Sequence, residues 1–507
     1  MFDIEHVFAF FKKHFTKKDF FFISGLVILY FLTRLINLEQ LPIFNDEGIY
    51  IHWAKVAWHD ASWRFISLTD GKQPLQTWGT IPFLKLFPNN ALVGGRLFSV
   101  ATGFMGLTGM ITLLFYFFGK RAAKIGGLLY IFIPYFLFYD RIAMVDSGVN
   151  AFFIWILFFS VLLVNTMRLD VAIIFGLVAG MGLLAKSSVR VFLGMSLFAP
   201  ILMKDLFRKI KITKIVSFLF LFGVTGVLAM AIYNIQRLSP FLHFVEEKNK
   251  TFVMTFSEWL SSPLAVFLNN TTTIPHYVFS ELGWMIVPFG IFGLFTLFRR
   301  NRKLAFYILL WILVPYLGIA FLTKVLFPRY IIFFGSLIVI LASYFLSQIG
   351  NKKILFISLL TIILSALVFD YFMWFDYKKI IFPPTDRGQY VIGQTVGYGA
   401  KEIIEYARGK SKEKEVIILA EGDFGMLGDI LDTFLRPGDK IFIKGYWPLT
   451  DKELSLHQKD LFENKQVFIA TAHQLEYPQN WPVRLIRSYY KADRKSVIHL
   501  LELTKSN

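Results

Sequence analysis

The apolar residues of this chain are gathered into unbroken runs rather than spaced along one face of a helix or strand. FFFISGLVILYFLT (20–33), AIIFGLVAGMGLLA (172–185) and IVSFLFLFGVTGVLAMAIY (215–233) carry no charge at all. Crossing a bilayer as a helix takes about 20 such residues, and several runs approach that length. Composition agrees: 55% of residues are hydrophobic and only 17% are charged, against about 25% charged in soluble domains. A porin-like barrel is excluded, because its strands alternate in polarity over about 10 residues. The fold class this implies is a polytopic α-helical membrane protein.

Eleven transmembrane helices are expected, over 20–36, 91–118, 122–139, 148–165, 171–185, 189–203, 215–236, 281–298, 304–323, 330–348 and 354–373. The first follows Lys12, Lys13, Lys17 and Lys18 in the manner of a signal peptide. It lacks a small-residue cleavage site, which makes it an uncleaved helix. Segments 12–18, 119–124, 166–170, 204–214, 299–303 and 350–353 hold nineteen Lys and Arg, whereas the short loops of opposite parity hold five. Cytoplasmic loops are the basic ones. The N-terminus is therefore expected in the cytoplasm and, after eleven crossings, the C-terminus outside, in a multi-pass protein of the plasma membrane.

The net charge of +18 also suggests nucleic acid, but its location argues otherwise. Residues 374–507 hold 20 Lys+Arg against 18 Asp+Glu, so nearly all of the surplus lies in residues 1–373, where it orients helices. Nucleic acid is not an expected partner. With no cysteine in the chain, disulfides, thiolate metal sites and cysteine nucleophiles are ruled out.

Two domains are expected. Residues 1–373 form the membrane domain, with long outer loops at 38–90 and 237–280; the first loop is rich in Trp and reads as interfacial helices. Beyond Pro383-Pro384, residues 374–507 alternate strand-like and helix-like segments (EVIILAE, GMLGDILDTFL, DKIFIKG, ELSLHQKDLFE, QVFIATA, KSVIHLLELT), which predicts a small three-layer α/β domain.

Candidate chemistry lies at loop ends. Asn45-Asp46-Glu47-Gly48-Ile49-Tyr50 follows the first helix, and two adjacent carboxylates there suit a general base. An acidic loop in water is the plain alternative. Asp140-Arg141 and Asp146 flank the start of the fourth helix, where ionisable residues are costly and point to function; a structural Arg141–Asp146 pair would explain them equally. Asp70-Gly71-Lys72-Gln73-Pro74 offers a lysine to a phosphate or simply a turn before a helix. Arg329-Tyr330 opens the tenth helix, suited to a phosphodiester or to snorkelling. Lys186 and Arg190 are weaker versions of the same idea, and His243 with Glu246 and Glu247 reads more simply as a solvated face. Glu421-Gly422-Asp423 follows a strand end, a place where α/β folds bind ligands.

The order of these motifs resembles the membrane glycosyltransferases of the C-type fold, specifically the protein mannosyltransferase and lipid A aminoarabinose transferase family (glycosyltransferase family 39-like). Asp46-Glu47 resembles its acidic pair in the first outer loop, and Gly71-Lys72-Gln73-Pro74-Leu75 its Lys/His-Pro-Pro-Leu stretch, with Gln73 in place of a proline. Arg141 through Asp146, Leu183 through Lys186, and Arg329-Tyr330 resemble three further elements. The match covers about residues 20–350. The β-trefoil of the eukaryotic members has no counterpart after residue 374.

What the resemblance implies is transfer of a hexosyl or pentosyl group from a polyprenyl-phosphate donor to an extracytoplasmic glycan, lipid or protein, with inversion. Asp46 would be the base. Lys72, Arg329, Tyr330 and Lys186 would hold the donor phosphate. Glu47 and Asp146 complete the catalytic set, and Tyr50, Arg141 and His243 would position substrate. No cofactor is required on this reading, and no metal ligand is assigned, although oxygen ligands are compatible with magnesium or manganese. A transporter or flippase of lipid-linked sugars is the alternative; it would favour repeated halves and broken helices at mid-membrane, which the sequence does not display.

Overall fold

Helices dominate wherever the sequence is apolar, because a backbone in hydrocarbon must satisfy its own hydrogen bonds. The structure, a computed structural model, describes residues 16–203, 212–422, 424–472 and 475–505. Lys12, Lys13, most of the 204–214 basic loop and Asp423 lie outside the described residues. In chain order the helices begin with α1 (Lys17–Leu35), α2 (Asn45–His59), α3 (Leu75–Leu86), α4 (Ala91–Phe118), α5 (Lys120–Phe132) and α6 (Pro134–Tyr139). There follow α7 (Asp146–Thr166), α8 (Leu169–Ala185), α9 (Val189–Met195) with a 3₁₀ continuation to Leu202, and α10 (Ile212–Tyr233). The next group is α11 (His243–Phe252), α12 (Phe256–Ser261), α13 (Phe267–Leu282), α14 (Val287–Arg300), α15 (Arg302–Leu322), α16 (Ile332–Gln348) and α17 (Lys352–Phe375).

Each of the eleven expected runs is largely helical, with breaks at Ile133 and at residues 283–286. Among the described residues, six helices are long and apolar enough to cross a membrane, or seven if α13 and α14 count as one bent span. The α13–α14 pair corrects the run drawn over 281–298. Gly283 closes α13 with φ 78°, and the chain turns by 108° before α14 begins. Of the other expected runs, α8 is short, α9 continues only as a 3₁₀ turn, Pro134 interrupts α5–α6, and α1 carries charge at both ends.

The two long loops are themselves built of helices. α2 and α3 occupy 38–90, and α11 to α13 fill most of 237–280. The α/β domain begins with α19 (Ala400–Lys410), after the linker helix α18 (Pro384–Arg387). Its sheet comprises β1 (Val416–Glu421), β2 (Ile441–Tyr446), β3 (Gln466–Thr471), β4 (Val483–Tyr490) and β5 (Val497–Leu503) in the order β2-β1-β3-β5-β4. β1, β2 and β3 are parallel; β5 runs against β3, and the edge strand β4 runs against β5 and so in the direction of the first three.

The expected three layers are present. One sheet face packs on α21 (Asp451–Leu456) and α22 (Gln458–Phe462), through Leu454 and Leu461 against Leu419, Ile469 and Leu501. The other packs on α19 and α20 (Leu427–Asp432). Its apolar cluster continues without a break into Ile43, Ile51 and Ala54 of the α2 region and Ala143 beyond. The two domains therefore share a core at this end of the helix bundle. Contact is close: a Cβ on Gly48 would lie 3.1 Å from the Ile430 backbone nitrogen, so α2 presents its one residue without a side chain to α20.

Candidate active site

The Asp46 carboxylate sits at the start of α2, half-buried, between two cations. Lys72 Nζ lies 3.2 Å from its Oδ1 and Arg329 Nη2 lies 3.6 Å from its Oδ2. These three residues are separated by up to 283 positions and meet only in the fold. Burial raises the affinity of the Asp46 carboxyl for its proton, but Lys72 and Arg329 outweigh it and hold the group below the usual carboxylate range.

Lys72 is delivered by a tight turn. Gly71 adopts φ 63°, and a Cβ there would stand 2.4 Å from the Phe244 carbonyl oxygen, so this position requires glycine. Gln73, which stands where a proline was expected, donates from Nε2 to Ser187 Oγ at 2.5 Å and ties the turn to the α8–α9 loop. The Lys72 ammonium also lies 5.2 Å from the Tyr50 ring centroid and 5.5 Å from that of Trp53. Tyr50 thus flanks the site as an aromatic wall.

A second pair completes the cluster. Lys186 Nζ lies 2.8 Å from Asp146 Oδ1 and 4.2 Å from the Tyr330 ring centroid. Burial, only partly offset by Asp146, holds the Lys186 ammonium below the usual lysine value. Asp146 Oδ2 is buried without a hydrogen-bond partner, a cost that calls for an explanation. Asp46, Lys72, Asp146, Lys186, Arg329 and Tyr330 are therefore brought together. Asp70 also pairs with Lys72 at 3.4 Å and with Lys248 at 2.7 Å, so four cations face three carboxylates, leaving one formal positive charge for an anion.

Three expected site residues are elsewhere. Glu47 is fully buried and bidentate with Arg96: Oε1 accepts from Nε at 2.9 Å and Oε2 from Nη2 at 2.9 Å. Its oxygens also accept from the backbone of Ala143 at 2.7 Å and Phe44 at 3.0 Å. With every lone-pair direction in use, Glu47 fixes the start of α2 and has no capacity to act on a substrate. Arg141 donates to the carbonyls of Thr33, Arg34, Ile36 and Asn37 at 2.8 to 3.0 Å. It satisfies the orphan C-terminal carbonyls of α1 instead of pairing with Asp146. His243 is exposed, with its Nδ1 bonded to the Pro240 carbonyl at 2.9 Å, and makes no hydrogen bond or ion pair with Asp46, Lys72 or Arg329 among the described residues. Asp140 is likewise structural, paired with Arg34 at 3.2 Å in the interior.

Two contributors were not visible in sequence. Gln389 and Tyr390, in the linker between α18 and α19, both accept from Arg329 Nη1, Tyr390 at 3.2 Å. Neither belongs to a motif, and only the fold returns the linker to residue 329. Among the described residues no three His, Cys, Asp or Glu side chains are gathered to hold a metal ion. Asp46 and Asp146 each face an ammonium group, a poor setting for a divalent cation.

No family model and no curated protein matches the sequence. Solved structures do match. ArnT of Cupriavidus metallidurans, crystallised with undecaprenyl phosphate, superposes with a TM-score of 0.60 at 15% identity, covering 95% of this chain and 97% of that one. Its apo form superposes with a TM-score of 0.59 at 14% identity and the same coverage. The oligosaccharyltransferase AglB of Archaeoglobus fulgidus, in complex with an inhibitory peptide and a dolichol-phosphate, gives 0.50 at 12% identity over 90% of this chain and 70% of that one. The fold of this chain is the C-type glycosyltransferase fold, as the motif resemblance implied.

Proposed function

We propose that this protein is a membrane glycosyltransferase that moves a hexosyl or pentosyl group from a polyprenyl-phosphate carrier to an acceptor on the side of the membrane where the C-terminal domain lies. The observation that carries the reading is the Asp46 carboxylate flanked by Lys72 and Arg329. A base and a phosphate-binding pair are thereby within one substrate's reach of each other. Two proteins of the same fold were solved with polyprenyl phosphates bound, which supports the donor class.

In the reaction, Asp46 removes the proton from an acceptor hydroxyl or amine. The acceptor lone pair forms the new bond to the anomeric carbon from the face opposite the phosphate. The bond from that carbon to the phosphate oxygen breaks, and its electrons remain on the phosphate. Negative charge grows on the leaving oxygen, where Lys72 and Arg329 stabilise it. Lys186 adds a third cation, and the free Asp146 oxygen accepts from the acceptor. Donor phosphate and Asp46 draw on the same two cations. Donor binding thus loosens the hold on Asp46 and makes it a stronger base when it is needed.

The sugar, the acceptor class and the membrane orientation (N-terminus cytoplasmic, C-terminal domain outside) are part of this proposal. The test is acceptor-dependent consumption of a labelled polyprenyl-phosphate sugar by the purified protein in detergent, with an envelope lipid and glycan extract as acceptor. Loss of label from the donor only when extract is present supports the reading. Donor that stays intact with every extract, but moves across vesicle bilayers, would replace the enzyme with a flippase.

A further inference from the structure

We propose that the linker between the last membrane helix and the α/β domain is a working part of the donor site, with Gln389 and Tyr390 as positioning residues that aim the Arg329 guanidinium. The inference rests on the glycosyltransferase reading. An arginine has several rotatable bonds, and a phosphate-binding one gains from being held in place before the ligand arrives. Arg329 is held on two sides. One Nη1 donates to Gln389 Oε1 and to Tyr390 OH, while Nη2 faces Asp46 at 3.6 Å. Phe327 lies under the guanidinium, 4.5 Å from its carbon to the ring centroid.

The linker is in turn fixed to both domains. Tyr390 is buried, with its ring 4.8 Å from those of Phe44 and Phe138. Thr395 Oγ1 donates to the Gln389 carbonyl at 2.9 Å. Asn45, next to the base, donates its backbone N–H to the Thr395 carbonyl at 3.0 Å, and Gly397 donates to the Ile43 carbonyl at 2.8 Å. From the α/β domain, Lys491 Nζ donates to the carbonyls of Gly393 and Gln394 at 2.8 and 3.0 Å. Residues Gly388–Ile392 form a single π-helical turn, a rare geometry that recurs at functional sites.

The chemistry of the two acceptors is telling. An amide oxygen and a phenol orient a guanidinium without cancelling its charge, whereas a carboxylate in the same place would neutralise it. Arg329 thereby keeps its charge for an anionic headgroup. Gln389→Glu, nearly identical in shape, is the discriminating variant, and Tyr390→Phe is the milder one.

The experiment measures binding of undecaprenyl phosphate to the purified full chain, with undecaprenol as the phosphate-free control and a thermal melt for each variant. Arg329→Ala and Gln389→Glu are each expected to weaken phosphate binding about tenfold, and Tyr390→Phe about threefold, with undecaprenol binding unchanged. In the Arg329→Ala background the linker variants should add less than about twofold, because they act through the missing guanidinium. Wild-type affinity for undecaprenyl phosphate no better than for undecaprenol would overturn the donor assignment and this inference with it. A wild type that discriminates, alongside Gln389→Glu and Tyr390→Phe variants that bind as it does or whose losses multiply with that of Arg329→Ala, overturns the inference alone. If Gln389→Glu fails to fold, Tyr390→Phe decides.

Discussion

Lys72 Nζ and Asp46 Oδ1 lie 3.2 Å apart, although a helix and two turns separate them along the chain. The pair puts a proton acceptor and an anion-binding group in direct contact. Each modifies the other: the ammonium lowers the carboxyl's affinity for a proton, and the carboxylate partly occupies the ammonium until a phosphate competes for it.

Asp46→Asn keeps the shape but removes the base and one of the two oxygens that face Lys72 and Arg329. Sugar transfer is expected to fall by at least about a hundredfold, in line with the usual contribution of a positioned general base. Melting temperature stays near wild type and donor binding is equal or tighter, because the phosphate no longer competes with a carboxylate for the two cations. Turnover close to wild type would remove Asp46 from the mechanism.

Lys72→Gln should act on both partners. Donor KM rises, because one of the phosphate cations is lost. The acidic limb of the kcat/KM profile moves to higher pH, because the group that held Asp46 below the usual carboxylate range is gone. The wild-type limb accordingly lies below the ordinary aspartate range. A profile that does not move would mean that Asp46 is not the titrating group.

Glu47→Ala is expected to behave differently from Asp46→Asn despite their adjacency. It strands Arg96 in the interior, a loss of about 3–5 kcal/mol for a broken buried pair. The variant should express poorly and melt early. A well-folded Glu47→Ala protein with slow turnover would restore Glu47 to the catalytic set.

The contact between α2 and α20 should respond to pH. His52 Nδ1 lies 3.1 Å from Asp432 Oδ2. Burial disfavours the imidazolium, but Asp432 outweighs it and raises the His52 pKa above its ordinary value. A raised pKa means that the stabilisation is complete below the unfolded-state value near 6.5 and is lost as pH rises through the folded value. Protection of residues 427–432 against hydrogen exchange, corrected for the intrinsic rise of exchange with pH, should therefore fall as pH rises above about 6.5, and His52→Gln should flatten the dependence.

Orientation can be read chemically because the chain has no cysteine. Ser455→Cys, on the exposed side of the α/β domain, should react with an impermeant maleimide in intact cells. Asn301→Cys, between α14 and α15, should react only after permeabilisation. The reverse pattern would place the site on the cytoplasmic side.

Asp46, Lys72 and Arg329 were legible in the sequence because charge beside an apolar run is expensive and each sits at a loop end. Glu47 and Arg141 were misread for a common reason: what satisfies them leaves no trace in the local sequence. Arg96 lies inside the apolar run of α4 and resembles any interfacial arginine, and the four carbonyls that receive Arg141 belong to residues of any type. Strand β4 was missed because Arg484 and Arg487 interrupt its apolar pattern, where a register shift between Leu485 and Arg487 lets the strand absorb them. The bend at Gly283 was hidden because apolar composition records depth in the membrane and says little of direction.

The bare backbone of Gly48 against Ile430 makes the cap and its bearing a matched set. A methyl group at that position would require the α2–α20 contact to give by a few tenths of an ångström, and a longer side chain would shift further the helix whose first turn carries Asp46. Chimeras that exchange the soluble module between chains of this architecture should therefore succeed only when the helix beneath travels with it, and shuffling during evolution would have met the same constraint.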